Sequence, residues 1–265
     1  MNDSIDEISR QSQDLEFTRN NKLNDCVLFT TEDSQNLICR VGKESEWFNY
    51  VPLSKVIDIQ KLHKSSKLKI KNFPDAIYFG EIVDKFRNGQ GIMSYYNSRI
   101  FEGNWKEDLR DGQGFEKFAS GNTFEGFYLK GRPHGNGIYR WKTGEIYDGE
   151  WKNGLKNGDG VFKSTNNELY IGEWKSGKPN GFGIYYWENG GKYEGEFNKG
   201  LKNGQGTDFF PNGDYLIAEY SLGEPNGYGE YYWKNGASYK GYFQDGLKEG
   251  YGKLRLSDKE QANEY

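Results

Sequence analysis

Tyr147-Asp-Gly-Glu-Trp-Lys-Asn-Gly-Leu-Lys-Asn-Gly-Asp-Gly160 is followed, after nine residues, by Tyr170-Ile-Gly-Glu-Trp-Lys-Ser-Gly-Lys-Pro-Asn-Gly-Phe-Gly183. The two stretches start 23 residues apart, and the same interval carries the aromatic-x-Gly start to Tyr78, Phe101, Phe124, Tyr193 and Tyr239. One start is missing, where Leu216 and Ala218 stand instead. Eight units therefore follow one another without an insertion, and in each the twelfth and fourteenth residues are glycine, from Gly89 and Gly91 to Gly250 and Gly252. A fixed period of this kind is the mark of a repeat architecture and governs every later inference.

Within a unit the first, third and fifth residues read ring, glycine, ring, which places them on one face of a strand. The eighth residue is glycine in six units, and Asn-Gly at 157–158, 180–181, 203–204 and 226–227 is expected to complete a hairpin turn. A second strand is expected from the fourteenth residue to about the nineteenth. It would end at another turn, as at Asn189-Gly190, Asn212-Gly213 and Asn235-Gly236. Two tight connections per unit leave successive units side by side. The fold class is then all-β: an elongated single-layer antiparallel meander of eight hairpins, with a small N-terminal extension. About sixteen strands at ~4.8 Å each would make a ribbon on the order of 75 Å long.

The composition agrees. The chain has 265 residues, 36 of them glycine, with 20 Tyr and 17 Phe beside 2 Met and only 34% hydrophobic residues. Such a chain fills a thin core of flat rings lying on glycine backbone. A formal charge of −4 argues against a nucleic-acid surface. Cys26 and Cys39 are too few for a secreted disulfide framework, and no apolar run is long enough for a bilayer span.

The spelling Tyr-x-Gly-x-Trp-x-x-Gly-x-x-x-Gly-x-Gly resembles the MORN (membrane occupation and recognition nexus) family, over residues 78 to 256. It departs from the pattern at Lys85 and Asp108, where the eighth glycine is absent, and at Leu216 and Ala218. The resemblance implies a non-enzymatic scaffold or adaptor, such as a radial-spoke-head-like or other cytoskeletal component, cytoplasmic and associated with a cilium or axoneme.

Outside the repeats, residues 1–22 are polar and read as a disordered tail. Residues 23–77 read as an extension holding a hairpin (Cys26–Thr30 and Leu37–Val41), an apolar cluster (Trp47, Phe48, Tyr50, Val51) and a half-repeat cap at Lys69–Phe73. Residues 257–265 form a C-terminal tail. Lys64, Lys67, Lys69 and Lys71 lie in a polybasic stretch and are the candidate contact for anionic lipid.

No catalytic, metal or cofactor site is expected. His63 and His134 lie in different regions, and Glu150, Glu173, Glu196 and Glu219 recur with the period as a solvated row rather than as an acid–base pair. Partner binding has three candidate surfaces. The ring-glycine face is a groove lined by Trp105, Tyr128, Trp141, Trp151, Trp174, Trp187, Phe197, Phe210, Trp233 and Phe243. The opposite face carries an apolar patch of Ile184, Tyr186, Phe209 and Tyr232. The third is a row of Leu109, Leu155, Leu201 and Leu247 in the turns along one edge, recurring every 46 residues and spaced to meet a helical or coiled-coil partner. The alternatives are a peripheral tether to anionic phospholipid and a regulatory subunit that positions an enzyme.

Overall fold

The computed structural model describes residues 26–31, 34–41, 51–52, 57, 62 and 64–257. Nearly all of them lie in antiparallel strands or the turns between. The N-terminal tail, the cluster Trp47, Phe48 and Tyr50, and residues 258–265 lie outside the described residues. Two compact units divide the chain, residues 1–109 and 110–265.

In the first unit β1 (Cys26–Thr31), β2 (Ser34–Val41) and β3 (Val51–Pro52) form a three-stranded sheet in that order. A separate meander runs β4 (Leu68–Asn72), β5 (Ala76–Val83), β6 (Phe86–Tyr95) and β7 (Ile100–Lys106). Its β4 sets Ile70 opposite Phe79. Phe79 and Ile92, on the face away from the rings, form a core cluster with Ile57 and Leu62 of the extension. Tyr78, Phe101 and Trp105 are buried on the other face.

The second unit is an open meander of longer run: β8 (Leu109–Lys117), β9 (Thr123–Leu129), β10 (Arg132–Arg140), β11 (Ile146–Lys152), β12 (Leu155–Lys163), β13 (Leu169–Lys175) and β14 (Lys178–Tyr186). It continues through β15 (Lys192–Asn198), β16 (Leu201–Phe209), β17 (Tyr215–Ser221), β18 (Glu224–Tyr232), β19 (Ser238–Gln244) and β20 (Leu247–Arg255). Each strand pairs antiparallel with the next. All nine residues of β20 are exposed, as on an edge strand.

The register corrects the expected hairpin. Tyr147 faces Phe162 and Gly149 faces Gly160, but Trp151 then faces Lys156, so Asn157, Gly158 and Asp159 oppose Glu150 alone. The Asn-Gly pair is thus a bulge inside the second strand, which begins at the ninth residue and not the fourteenth. The turn itself is Asn153-Gly154, with φ of 54° and 85°, the two positive values a type I′ turn needs. Where the eighth glycine is absent the turn is unchanged: Asp84-Lys85 have φ of 50° and 73°, and Glu107-Asp108 have 49° and 67°.

The fourth-position glutamates fold back over these bulges. Glu173 accepts a hydrogen bond from the Phe182 amide at 2.8 Å, and Glu81 one from Gln90 at 2.9 Å. Gly181 holds a φ of +102°, which is why the twelfth residue is glycine, and a Cβ there would also stand 2.6 Å from the Glu173 carboxylate carbon. Glu150, Glu173, Glu196 and Glu219 are exposed, as the solvated row requires, and the first three also cap out-of-register amides.

Candidate functional site

The ring face is built from the first residue of each unit. The Tyr147 side chain lies across its own glycines so closely that a Cβ on Gly160 would come within 2.5 Å of its hydroxyl oxygen. That hydroxyl donates to the Glu150 carbonyl at 2.9 Å, satisfying the residue the bulge leaves out of register. Tyr170 and Tyr193 repeat the bond to Glu173 and Glu196 at 2.9 and 3.0 Å. Burial pushes the Tyr147, Tyr170, Tyr193 and Tyr220 hydroxyls well above the ordinary phenol range.

Fifth-position rings wedge edge-on between these first rings. In the second unit Phe124, Trp151, Tyr147, Trp174, Tyr170, Phe197 and Tyr193 follow as T-shaped neighbours, with centroids 5.1–5.3 Å apart. The Trp151 indole donates to the Gly137 carbonyl at 2.9 Å and Trp174 to Gly160 at 3.2 Å. Trp105, Tyr128, Trp151, Trp174, Phe197 and Phe243 are all buried. The slots expected between units are therefore filled by these six rings themselves, because glycine at the third and fourteenth positions lets them sink onto the backbone.

What stays open on this face is the end of the second strand. Trp141, Trp187 and Trp233 are half-buried and Phe210 is exposed; each ring leans on a sixteenth-position side chain. Tyr139 lies 4.5 Å from Trp141, Tyr185 5.2 Å from Trp187 and Tyr231 4.8 Å from Trp233. On the opposite face Ile184, Phe209 and Tyr232 are half-buried and Tyr186 is exposed. There Tyr215 stacks between Phe209 and Tyr232 at 6.2 and 4.7 Å, with the Lys192 ammonium over Phe209. Leu155 and Leu201 each open a second strand and are 52% and 48% exposed, so they do not fold over their own hairpins. Leu109 and Leu247 are exposed as well.

Sequence reasoning missed the tenth position. The cations that follow these leucines, Arg110, Lys156, Lys202 and Lys248, lie in the strand and reach onto the ring face. The Lys156 ammonium stands 4.0 Å from the Trp174 centroid, Lys202 4.8 Å from Trp187 and Lys248 4.5 Å from Trp233. The signal was present: Lys156, Lys202 and Lys248 recur every 46 residues, and so do Trp141, Trp187 and Trp233. Arg110 and Lys202 also have acids at the sixteenth position. Arg110 meets Glu116 at 2.6 Å and Lys202 meets Asp208 at 2.7 Å, and each acid accepts a tyrosine hydroxyl, from Tyr128 at 2.8 Å and Tyr220 at 2.7 Å. In the first unit Arg87 lies over Trp105 and pairs with Asp108, whose own desolvation is outweighed by these bonds, so its carboxyl sits below the ordinary range. Among the described residues no three His, Cys, Asp or Glu side chains gather as a metal site would require.

The MORN repeat profile matches residues 78–98, 101–123, 124–146, 147–168, 170–192, 193–215, 217–238 and 239–260. The chain belongs to the MORN repeat family. No curated protein matches it. Among solved structures, the TCP domain of Drosophila melanogaster SAS-4 (dCPAP), in complex with a proline-rich motif of Ana2, is 13% identical, with 63% of this chain and 90% of that one covered at a TM-score of 0.36. The TCP10 domain of Danio rerio CPAP is 10% identical, with 66% and 83% covered at 0.39. At that level of overlap neither structure bears on the function of this MORN array.

Proposed function

We propose that this MORN protein is a non-enzymatic scaffold that docks protein partners on the open part of its ring face. The observation that carries the reading is the row of half-buried tryptophans, Trp141, Trp187 and Trp233, each with a lysine beside it, on a face whose first- and fifth-position rings are sealed. Amphipathic rings with cations are the side chains on which interfaces concentrate their affinity. The interval between boxes is four strands, roughly 19 Å or about thirteen residues of α-helix, which suits a helical or coiled-coil partner. Changing all three tryptophans to Leu is expected to abolish partner recovery in pull-downs from native extract while the melting temperature falls only modestly. Unchanged recovery from the folded variant would overturn the docking face.

The location we propose, a cytoskeletal or ciliary assembly, rests on the family resemblance, and proximity labelling in the native cell tests it. The alternative of a lipid tether has the exposed Lys64, Lys67, Lys69 and Lys71 in its favour. Sedimentation with phosphatidylserine vesicles at low salt, reversed by changing these four to Gln, would establish it; no appreciable sedimentation is expected.

A further inference from the structure

Lys156 differs from the other tenth-position cations of the second unit. In the units of Arg110 and Lys202 the sixteenth residue is Glu116 or Asp208, and it neutralises the cation. In the unit of Lys156 the sixteenth residue is Phe162, and the residue that would complete the acid's hydrogen bonding, tyrosine at 128 and 220, is Trp174. The Lys156 ammonium therefore sits among Trp174, Phe162, Tyr147 and Trp141 at 4.0, 4.9, 5.3 and 5.9 Å, with no carboxylate in ion-pair reach among the described residues. Lys248 also lacks a sixteenth-position acid, since Leu254 stands there, but it is exposed to water. Lys156 is partly buried, and that burial alone pulls it down to about 8. A half-desolvated cation without a counter-ion is an unfavourable arrangement, which a carboxylate brought from outside would relieve.

We propose that Lys156 receives one acidic side chain of the docked partner, a Glu or Asp flanked by apolar residues, whose carboxylate supplies the counter-ion that this unit lacks while its neighbours pack on Trp141 and Phe162. The proposal rests on the docking reading above. A carboxylate is favoured over a phosphate because the same chain fills the equivalent place with Glu116 and Asp208, and because apolar walls penalise a dianion more heavily.

The test uses the full chain labelled at lysine Cε with carbon-13, the Lys156 signal being assigned through Lys156→Arg. The probes are acetyl-Leu-Glu-Phe-amide, its Gln counterpart and inorganic phosphate, each to about 10 mM, enough for a contact of ~1 mM affinity. The Glu peptide is expected to shift the Lys156 signal and raise its titration midpoint by at least one pH unit, and the other two to leave it in place. No shift, or an equal shift from the Gln peptide or phosphate, overturns the assignment. Phe162→Glu should mimic the Arg110 and Lys202 units, raising the midpoint without peptide and abolishing the response. If that variant does not fold, Lys156→Met must erase the peptide-induced shifts of the Trp141 and Trp174 indole signals, and their persistence overturns the proposal. Loss of partner in the tryptophan variants together with a silent Lys156 would sink this inference and leave the docking face standing. A responsive Lys156 with partner recovery unchanged in those variants would do the reverse.

Discussion

At the scale of single residues, two glycines separate two reasons for being glycine. Gly160 has no unusual φ, but a Cβ there would enter the Tyr147 ring, whereas Gly154 has a φ of +85° and nothing within 4 Å. Gly154→Ala is expected to destabilise by about 1 kcal/mol, the conformational term alone. Gly160→Ala is expected to cost about 3 kcal/mol, near the top of the range for an overpacked site, because the tyrosine has no second place to lie. Urea melts of the two variants decide the order. Lys156 gives a pH signature of its own. Its folded-state pKa is depressed to about 8 from 10.5, so between those values the unfolded chain holds the proton that the folded chain has released, and stability rises with pH. The buried tyrosines act in the opposite sense: their folded pKa values are raised, so their contribution is complete below about pH 10 and is lost above it. Wild type minus Lys156→Met should therefore show a rising difference from about pH 8 to 10. A flat difference would mean that the ammonium is already fully solvated.

At the scale of the hairpin, what could be read from the sequence depended on which signal was unique. The period, the alternation of rings and glycines and the meander were legible because nothing else satisfies eight repeats without an insertion. The turn was not, because a unit such as 147–169 contains Asn-Gly twice, at 153–154 and at 157–158, and either pair can close a hairpin. Only the pairing of Trp151 with Lys156 shows that the first is the turn and the second a bulge. That shift of four residues puts Lys156 and Lys202 in the second strand and on the ring face, where a turn at 157–158 would not, and so hid the boxes. It also hid the caps, since nothing gives the exposed Glu150 a backbone partner until Asn157 to Asp159 are seen to oppose it. The turn supplies a further prediction. Lys85 holds a φ of 73° where six other units have glycine, so Lys85→Gly is expected to stabilise by about 0.5–1 kcal/mol, measured by thermal melting. An unchanged or lowered melting temperature would show that the lysine side chain stabilises this turn in some other way.

At the scale of the molecule, the second unit is a sum of neighbouring pairs, and its stability should behave as such. Deleting residues 170–192 removes one whole unit, and Phe197 then meets Tyr147 where Trp174 did. The shortened chain is expected to fold with a lower melting temperature. Trp187 goes with the deleted residues, so the box at Lys202 loses its ring while Trp141 and Lys156 remain, and a partner reading both boxes should be lost although circular dichroism stays β. Retained binding would show that a single box suffices. The same nearest-neighbour order has a kinetic side. Tyr147 bonds the carbonyl three residues on, Trp151 one fourteen residues back, and every ladder in this unit joins consecutive strands. No contact in the ring row waits for a distant part of the chain, so loop closure is brief at each step. A ribosome delivering about 5–20 residues per second releases one 23-residue unit every one to five seconds, far longer than a hairpin needs to close. The array can therefore lengthen strand by strand as it is made, the rings of each new hairpin sealing against the last completed one.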